Sequence, residues 1–258
     1  MRYSKIFNNG LKLIINKLEG VLSVSCGVLV KTGSANESES ENGISHFIEH
    51  NLFKGTKKRT AFEISDCIDS IGAQINAFTS KELTCFYTKS TADHIETAVE
   101  VLSDIFFNST FEKKEIEREK GVIIEEINMS SDTPDDVCLD LLSKAYYGDE
   151  GYGRAILGTA KNVKKFEKKD ILGYMDKYYT ADNVCISIAG NVNIKNAVHL
   201  VEKYFSDNFS GKKSVGQVFQ KNYAYQNLNK YKKTEQSHIA ICLPAYDMAD
   251  SKIHALTI

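Results

Sequence analysis

Two histidines and a glutamate stand within five residues of one another in the run His46-Phe47-Ile48-Glu49-His50. If this run is helical, His46 and His50 sit at i and i+4 and leave the same face one turn apart. Glu49, three residues after His46, lies beside that face. Two neutral imidazoles can hold a zinc ion, and a nearby carboxylate outside the ligand set can take a proton from a water activated there. The order H-x-x-E-H is the reverse of the commoner H-E-x-x-H, and both are zinc-hydrolase signatures. The competing interpretation is an ordinary short helix with one buried, hydrogen-bonded histidine and one solvated.

A catalytic zinc site usually takes three protein ligands and leaves one place for water. The chain must then offer an acidic residue on another element. Residues 112–130 read as a helix on which Glu119 and Glu126 are two turns apart and share a side, whereas Glu125 points about 100° away and Glu117 falls off the stripe. Val122, Ile123 and Ile127 are expected to hold this half of the helix in the core; without that, an acidic helix is usually a solvated surface.

The elements that must position these groups follow from periodicity and punctuation. Strands are predicted over 11–15 and 21–30, joined by a turn at Gly20, and a polar loop over 33–42 leads into the His46 helix, with Gly55 as its stop. Thr60-Ala61-Phe62-Glu63 is a capping box opening a helix with an Ile64, Cys67, Ile68, Ile71 stripe. Residues 73–79 and 83–90 form a hairpin turning at Ser80-Lys81. A helix over 92–107 turns Ile95, Val99, Leu102, Ile105 and Phe106 inward. Thr133-Pro134 opens another helix that ends near Gly148. Residues 148–158 are glycine-rich but lack the G-x-x-x-x-G-K-[ST] order of a phosphate cradle. Helix 167–178, strand 184–190 and helix 194–206 follow. Residues 209–235 are polar and read as a connector, and 238–243 as a fresh alternating strand.

Composition narrows the function classes. The chain has 258 residues, 42% hydrophobic and 26% charged, within the range of folded globular proteins. A net charge of -2 gives no electrostatic reason to expect nucleic acid or an anionic membrane as partner. Cys26, Cys67, Cys85, Cys138, Cys185 and Cys242 are scattered, which suits free buried thiols in a reducing compartment. No signal peptide or membrane-length apolar run is visible, so a cytoplasmic location is expected. His94, His199, His238 and His254 lack a matching carboxylate pattern and read as surface or packing residues.

The segment from Gly43 to Thr56, GISHFIEHNLFKGT, resembles the active-site segment of the pitrilysin/insulinase (inverzincin, M16) zinc metallopeptidases. Within that family it is most similar to the branch containing the mitochondrial processing peptidase β-subunit and its bacterial homologues. Ile75-Asn76-Ala77-Phe78-Thr79, Glu119 in its Glu117-to-Ile123 context, and Asn183-Val184 leading to Ala189-Gly190-Asn191 match as well, so the likeness runs from about Tyr3 to Ile258. It implies a zinc-dependent endopeptidase acting on extended peptides. His46, His50 and Glu126 would bind Zn2+, with Glu49 as general base and Glu119 as a supporting carboxylate. The strand Asn76, Ala77, Phe78, Thr79 would be the edge on which a peptide adds. The implied fold class is α+β, an antiparallel or mixed sheet with helices packed on one face, as in processing-peptidase and S-ribosylhomocysteine-lyase half-domains.

The same resemblance implies domains over 1–208 (zinc-binding), 209–235 (connector) and 236–258, the opening of a truncated second domain. An Arg-Tyr pair that closes over substrate would belong to that second half, beyond Ile258, supplied in cis or by a partner chain, in a homodimer or heterodimer. Asn51 departs from the family, which usually carries an apolar residue there. Two alternatives stand beside the peptidase: a non-catalytic scaffold or partner subunit of a processing-peptidase-like complex, and a lyase of the S-ribosylhomocysteine type, whose third metal ligand is a cysteine.

Overall fold

The computed structural model describes residues 1–209, 211–215, 224, 226–233, 235–246 and 249–257. At its centre lies a six-stranded sheet of β1 (Arg2–Ile6), β2 (Lys12–Lys17), β3 (Ser23–Val30), β4 (Gln74–Thr79), β5 (Thr84–Thr91) and β6 (Val184–Gly190), in the order β1-β2-β6-β3-β5-β4. β2 and β6 are parallel and the other neighbouring pairs antiparallel. β3 and β6 alternate buried with half-buried residues, so Val24, Cys26, Val28, Val30, Ile186 and Ile188 form one continuous apolar face.

Helices cover that face. They are α1 (Ile44–Leu52), α2 (Ala61–Asp69), α3 (Ile95–Asn108), α4 (Lys113–Asp132), α5 (Pro134–Tyr147), α6 (Ala160–Val163), α7 (Lys168–Tyr178) and α8 (Ile194–Tyr204). α1 lies against β4 and β5, α3 against β3 and β5, and α8 against β2, while α4 packs on α1 and α5. The five residues expected to face inward on α3 are all buried. The expected α+β class, a mixed sheet with helices on one face, is the architecture found.

Several expectations are corrected. The strands over 11–15 and 21–30 form but are not neighbours: β6 inserts between them, pairing Ile14 with Ser187 and Val28 with Ile186. The connection can bridge a strand because it closes over the end of β6, where Leu18 N–H donates to Gly190 O and Asn191 N–H to Ser23 O. β1 was not anticipated; four of its five residues, Arg2, Tyr3, Ser4 and Lys5, carry polar groups, as an edge strand tolerates. Residues 238–243 do not form a strand, and Ile239, Ile241 and Leu243 are 85%, 78% and 74% exposed. A strand needs a neighbour to take its backbone groups, and none reaches this segment among the described residues. Val122 is 47% exposed because it precedes buried Ile123 by about 100° around α4, away from α1. All six cysteines are free, but only Cys26 and Cys85 are buried and Cys242 is exposed.

The described parts of the segment read as a connector are tied back to earlier elements of the chain. Ser214 N–H donates to Asp182, Ala224 N–H to Tyr146 O, and Lys232 pairs with Asp132. Residues 216–223 lie outside the described residues.

Two glycines fix how α1 enters the structure. Gly43 begins it at φ 99°, and Gly158, at φ 73°, lies so near that a Cβ on it would stand 2.4 Å from Asn42 O and 2.5 Å from Gly43 Cα. Both atoms are backbone and cannot rotate away. Gly158→Ala should therefore cost about 2–4 kcal/mol of stability from positive-φ strain and overpacking together. Urea denaturation measures it, and an unchanged midpoint would mean that this close approach does not exist.

Candidate metal centre

α1 carries the H-x-x-E-H run on a helix whose Ile44, Phe47, Ile48 and Leu52 are sunk in the core. That anchoring turns the opposite side of the helix, with Glu49 and His50, towards a cleft. α4 crosses beside it. Ile116, Glu119 and Ile123 form the buried stripe of α4, and Glu126 continues it one turn further, half-exposed at the cleft.

The three expected donors meet. Glu126 Oε2 is 3.6 Å from Nε2 of His46 and 3.6 Å from Nε2 of His50. One donor atom of each residue lies within 4.8 Å of the others, and the two rings stand 4.6 Å apart, tilted by 65°. Burial, with His50 as a neighbour, holds the His46 pKa down to about 4, so its ring is neutral near pH 7. Its Nδ1 is buried without a hydrogen-bond partner among the described residues. A proton on that nitrogen leaves the Nε2 lone pair facing the cluster.

Glu119 settles the other ring. It is 2% exposed, with Oε2 3.2 Å from His50 Nδ1 and Oε1 2.9 Å from Lys54 Nζ. Burial pulls its pKa up, but the bonds from His50 and Lys54 outweigh that and leave it below the usual range. An ionised carboxylate can only accept, so His50 Nδ1 is the donor in this bond and Nε2 is the nitrogen turned to Glu126.

The donor set fits zinc. Ligand bonds of about 2.0–2.1 Å in a tetrahedron place donors roughly 3.3–3.4 Å apart. The two spacings of 3.6 Å to Glu126 are close to that, and the donors of His46 and His50, within 4.8 Å of each other, would draw together on a bound ion. Two imidazoles and a carboxylate also match zinc in kind, and the cluster includes no cysteine among the described residues, unlike the lyase alternative.

Glu49 stands outside the cluster. Its Oε2 accepts a 2.5 Å hydrogen bond from Thr79 Oγ1, the last residue of β4. Burial raises its pKa, against the lowering effects of Thr79 and His50. β4 is the end strand of the sheet, with Asn76 and Phe78 exposed and Ala77 and Thr79 half-buried. The Ala77 N–H is taken by the side-chain oxygen of Asn76 at 2.8 Å.

Thus the structure gathers His46, His50, Glu126, Glu119 and Glu49 in one place and puts Asn76 to Thr79 along its rim. A cleft of about 510 Å³ is lined by His46, Glu49, Glu126 and Ala77 to Thr79, and walled further by α5 and residues 155–157. Three of its charged residues were not singled out from the sequence. Asp136 and Asp140, one turn apart on α5, line the wall, and Lys81 enters from the β4–β5 turn to donate to Arg154 O. Burial raises the Asp140 pKa and lowers that of Lys81. The i, i+4 aspartates after Thr133-Pro134 were a visible signal; Lys81 had none beyond its place in a turn.

Comparison with known proteins agrees with this geometry. The profile of the insulinase family (peptidase family M16) matches residues 13–160, and that of the M16 inactive domain matches residues 165–258. The second match includes β6, which pairs with both β2 and β3, so the two matched stretches share one sheet. The uncharacterized zinc protease YmxG of Bacillus subtilis (strain 168) is 41% identical over 250 residues, 97% of this chain and 61% of that protein. The mitochondrial-processing peptidase subunit beta of Rattus norvegicus is 36% identical over 205 residues, 80% of this chain and 42% of that one. A protease from Helicobacter pylori has the same fold, with a TM-score of 0.80 at 24% identity over 86% of this chain and 54% of that one. The chain spans about half the length of the relatives it matches.

The ligand set makes a direct prediction. Elemental analysis should find about one zinc per chain, falling at least tenfold in His50→Ala and in Glu126→Ala. Unchanged zinc in Glu126→Ala would remove that carboxylate from the site.

Proposed function

The chain belongs to the insulinase family (peptidase family M16), and on that premise we propose that it is the zinc-holding part of an endopeptidase that hydrolyses extended peptides. The observation that carries this reading is the meeting of His46, His50 and Glu126 beside a carboxylate that stays out of the ligand set. His46, His50 and Glu126 would hold the ion. When bound, zinc supplies a Lewis acid for the scissile carbonyl and lowers the pKa of a water towards 7.

The protein's own groups do the rest. Glu49, kept basic by burial and aimed by Thr79, takes the proton from the attacking water and returns it to the leaving amine. Glu119 keeps His50 in the tautomer that ligates. The free edge of β4 pairs with the peptide backbone, which gives a fixed register to varied sequences; Asn76 must first release the Ala77 N–H. Because Thr79 ends β4 and also holds Glu49, the substrate edge and the base move as one unit.

The aspartates on α5 favour a cationic side chain in the cleft, since Asp136 and Asp140 add two carboxylates to Glu49 and Glu126, with Lys81 opposite. The remaining half of the site would come from a second half-domain, in the same chain or in a partner, with residues 236–258 as its opening and 209–235 as the connector. One relative carries the name of a subunit, which favours paired assembly. The scattered free cysteines support a reducing compartment such as the cytoplasm.

Cleavage of a fluorogenic peptide by the full-length protein, with and without chelator, tests the activity. Glu49→Gln should keep its zinc and lose at least about 10³-fold in kcat; a variant as active as the parent would end Glu49's role as base. Zinc content without any hydrolysis would favour the scaffold or partner-subunit alternative.

A second series tests the acidic wall. Asp140→Asn should lower kcat/KM about 10–100-fold for peptides with Arg near the cleaved bond and leave neutral analogues nearly unchanged. Equal losses on both would deny it a part in selection.

A further inference from the structure

Helix α1 starts without a cap of its own. Gly43, the residue before its first turn, has no side chain and sits at φ 99°. The N–H groups of Gly43 and Ser45 would be orphaned in a buried place. Both are instead bound by Glu37, six residues upstream and only 3% exposed. Glu37 Oε2 accepts from Gly43 N–H at 2.7 Å and from Asn42 Nδ2 at 3.0 Å, and Oε1 accepts from Ser45 N–H at 2.9 Å. His46 follows immediately.

The same residue reaches the cleft walls. Arg154 Nη1 donates to the Glu37 carbonyl at 2.6 Å, and Asn42 Nδ2 also donates to Ala155 O at 3.0 Å. Lys81, at the turn after β4, donates to Arg154 O. Behind the helix, Ser45 Oγ donates to Tyr174 OH of α7 at 3.0 Å. Glu37 thus holds the first turn of α1 through its carboxylate, while its backbone carbonyl and Asn42 link the same place to Arg154 and Ala155, and Arg154 O in turn to Lys81. Burial of a carboxylate is unfavourable by itself, and Glu37 has no ion-pair partner within 4 Å among the described residues, so its three donors and the positive end of α1 are what hold it.

We propose that Glu37 is a positioning residue: in place of the cap that α1 lacks, its carboxylate sets the height and rotation of the helix at which the imidazoles of His46 and His50 meet Glu126. This rests on the metal-centre reading given above for the peptidase. Groups that orient ligands from behind typically change metal affinity or activity 10–100-fold when removed. Glu37→Gln keeps one acceptor oxygen and presents an amide to the other donors, so it should be intermediate between the parent and Glu37→Ala.

Three measurements on the full-length protein decide it. Without metal, amide exchange at Gly43 and Ser45 should quicken about tenfold or more in Glu37→Ala while α3 keeps its protection. Zinc affinity, by competition with a chelator, should fall about tenfold or more in Glu37→Ala and less in Glu37→Gln. Peptide hydrolysis should lose kcat with KM little changed, partly restored in Glu37→Gln. Unchanged exchange at both amides, or faster exchange with unaltered zinc affinity and kcat, overturns the proposal. Should Glu37→Ala not fold, Glu37→Gln carries the same three comparisons. If the parent binds zinc but cleaves nothing, the peptidase reading falls, and exchange and zinc affinity still decide the role of Glu37.

Discussion

A metal site asks three lone pairs from two separate helices to stop within a few ångströms of each other, with no proton on any of them. That demand explains much of the molecule. α1 is anchored on its far side by Phe47, Ile48 and Leu52, so its imidazoles cannot roll away from α4. α4 buries Ile116, Glu119 and Ile123 in one stripe, which carries Glu126 to the same height as the rings. Burial disfavours charge on His46, and Glu119 accepts the hydrogen bond of His50 Nδ1, so that the Nε2 atoms of both rings are turned to Glu126.

In the proposed peptidase, substrate and base would be coupled through the sheet. β4 is an end strand because the sheet is built outward from β6 through β3 and β5, and its last residue, Thr79, reaches Glu49. An enzyme that accepts varied peptides needs backbone pairing to set the register and a base fixed relative to that register. The single hydrogen bond from Thr79 supplies the second condition. On the same reading, the acidic wall of α5 and Lys81 opposite would bias which side chains enter.

Much of the centre was legible in the sequence because it obeys helical periods: i, i+4 for the histidines and two turns for Glu119 and Glu126. The secondary elements were legible for the same reason, and the ends of α2, α5 and the β4–β5 hairpin were marked by a capping box, a Pro and a polar turn. Strand order was not, since β2 and β3 are consecutive and nothing local announces that β6, more than 150 residues later, will part them. Glu37 was hidden in a loop that reads as merely polar, because its role depends on where the chain returns six residues later. The apolar alternation over 238–243 was real, but alternation forms a strand only where a neighbour completes it.

X-ray absorption at the zinc edge of the metal-loaded protein tests the central claim most directly. The account predicts a shell of nitrogen and oxygen at about 2.0–2.1 Å with the outer-shell pattern of two imidazoles and no sulfur. A sulfur ligand near 2.3 Å, or a shell without imidazole, would contradict it.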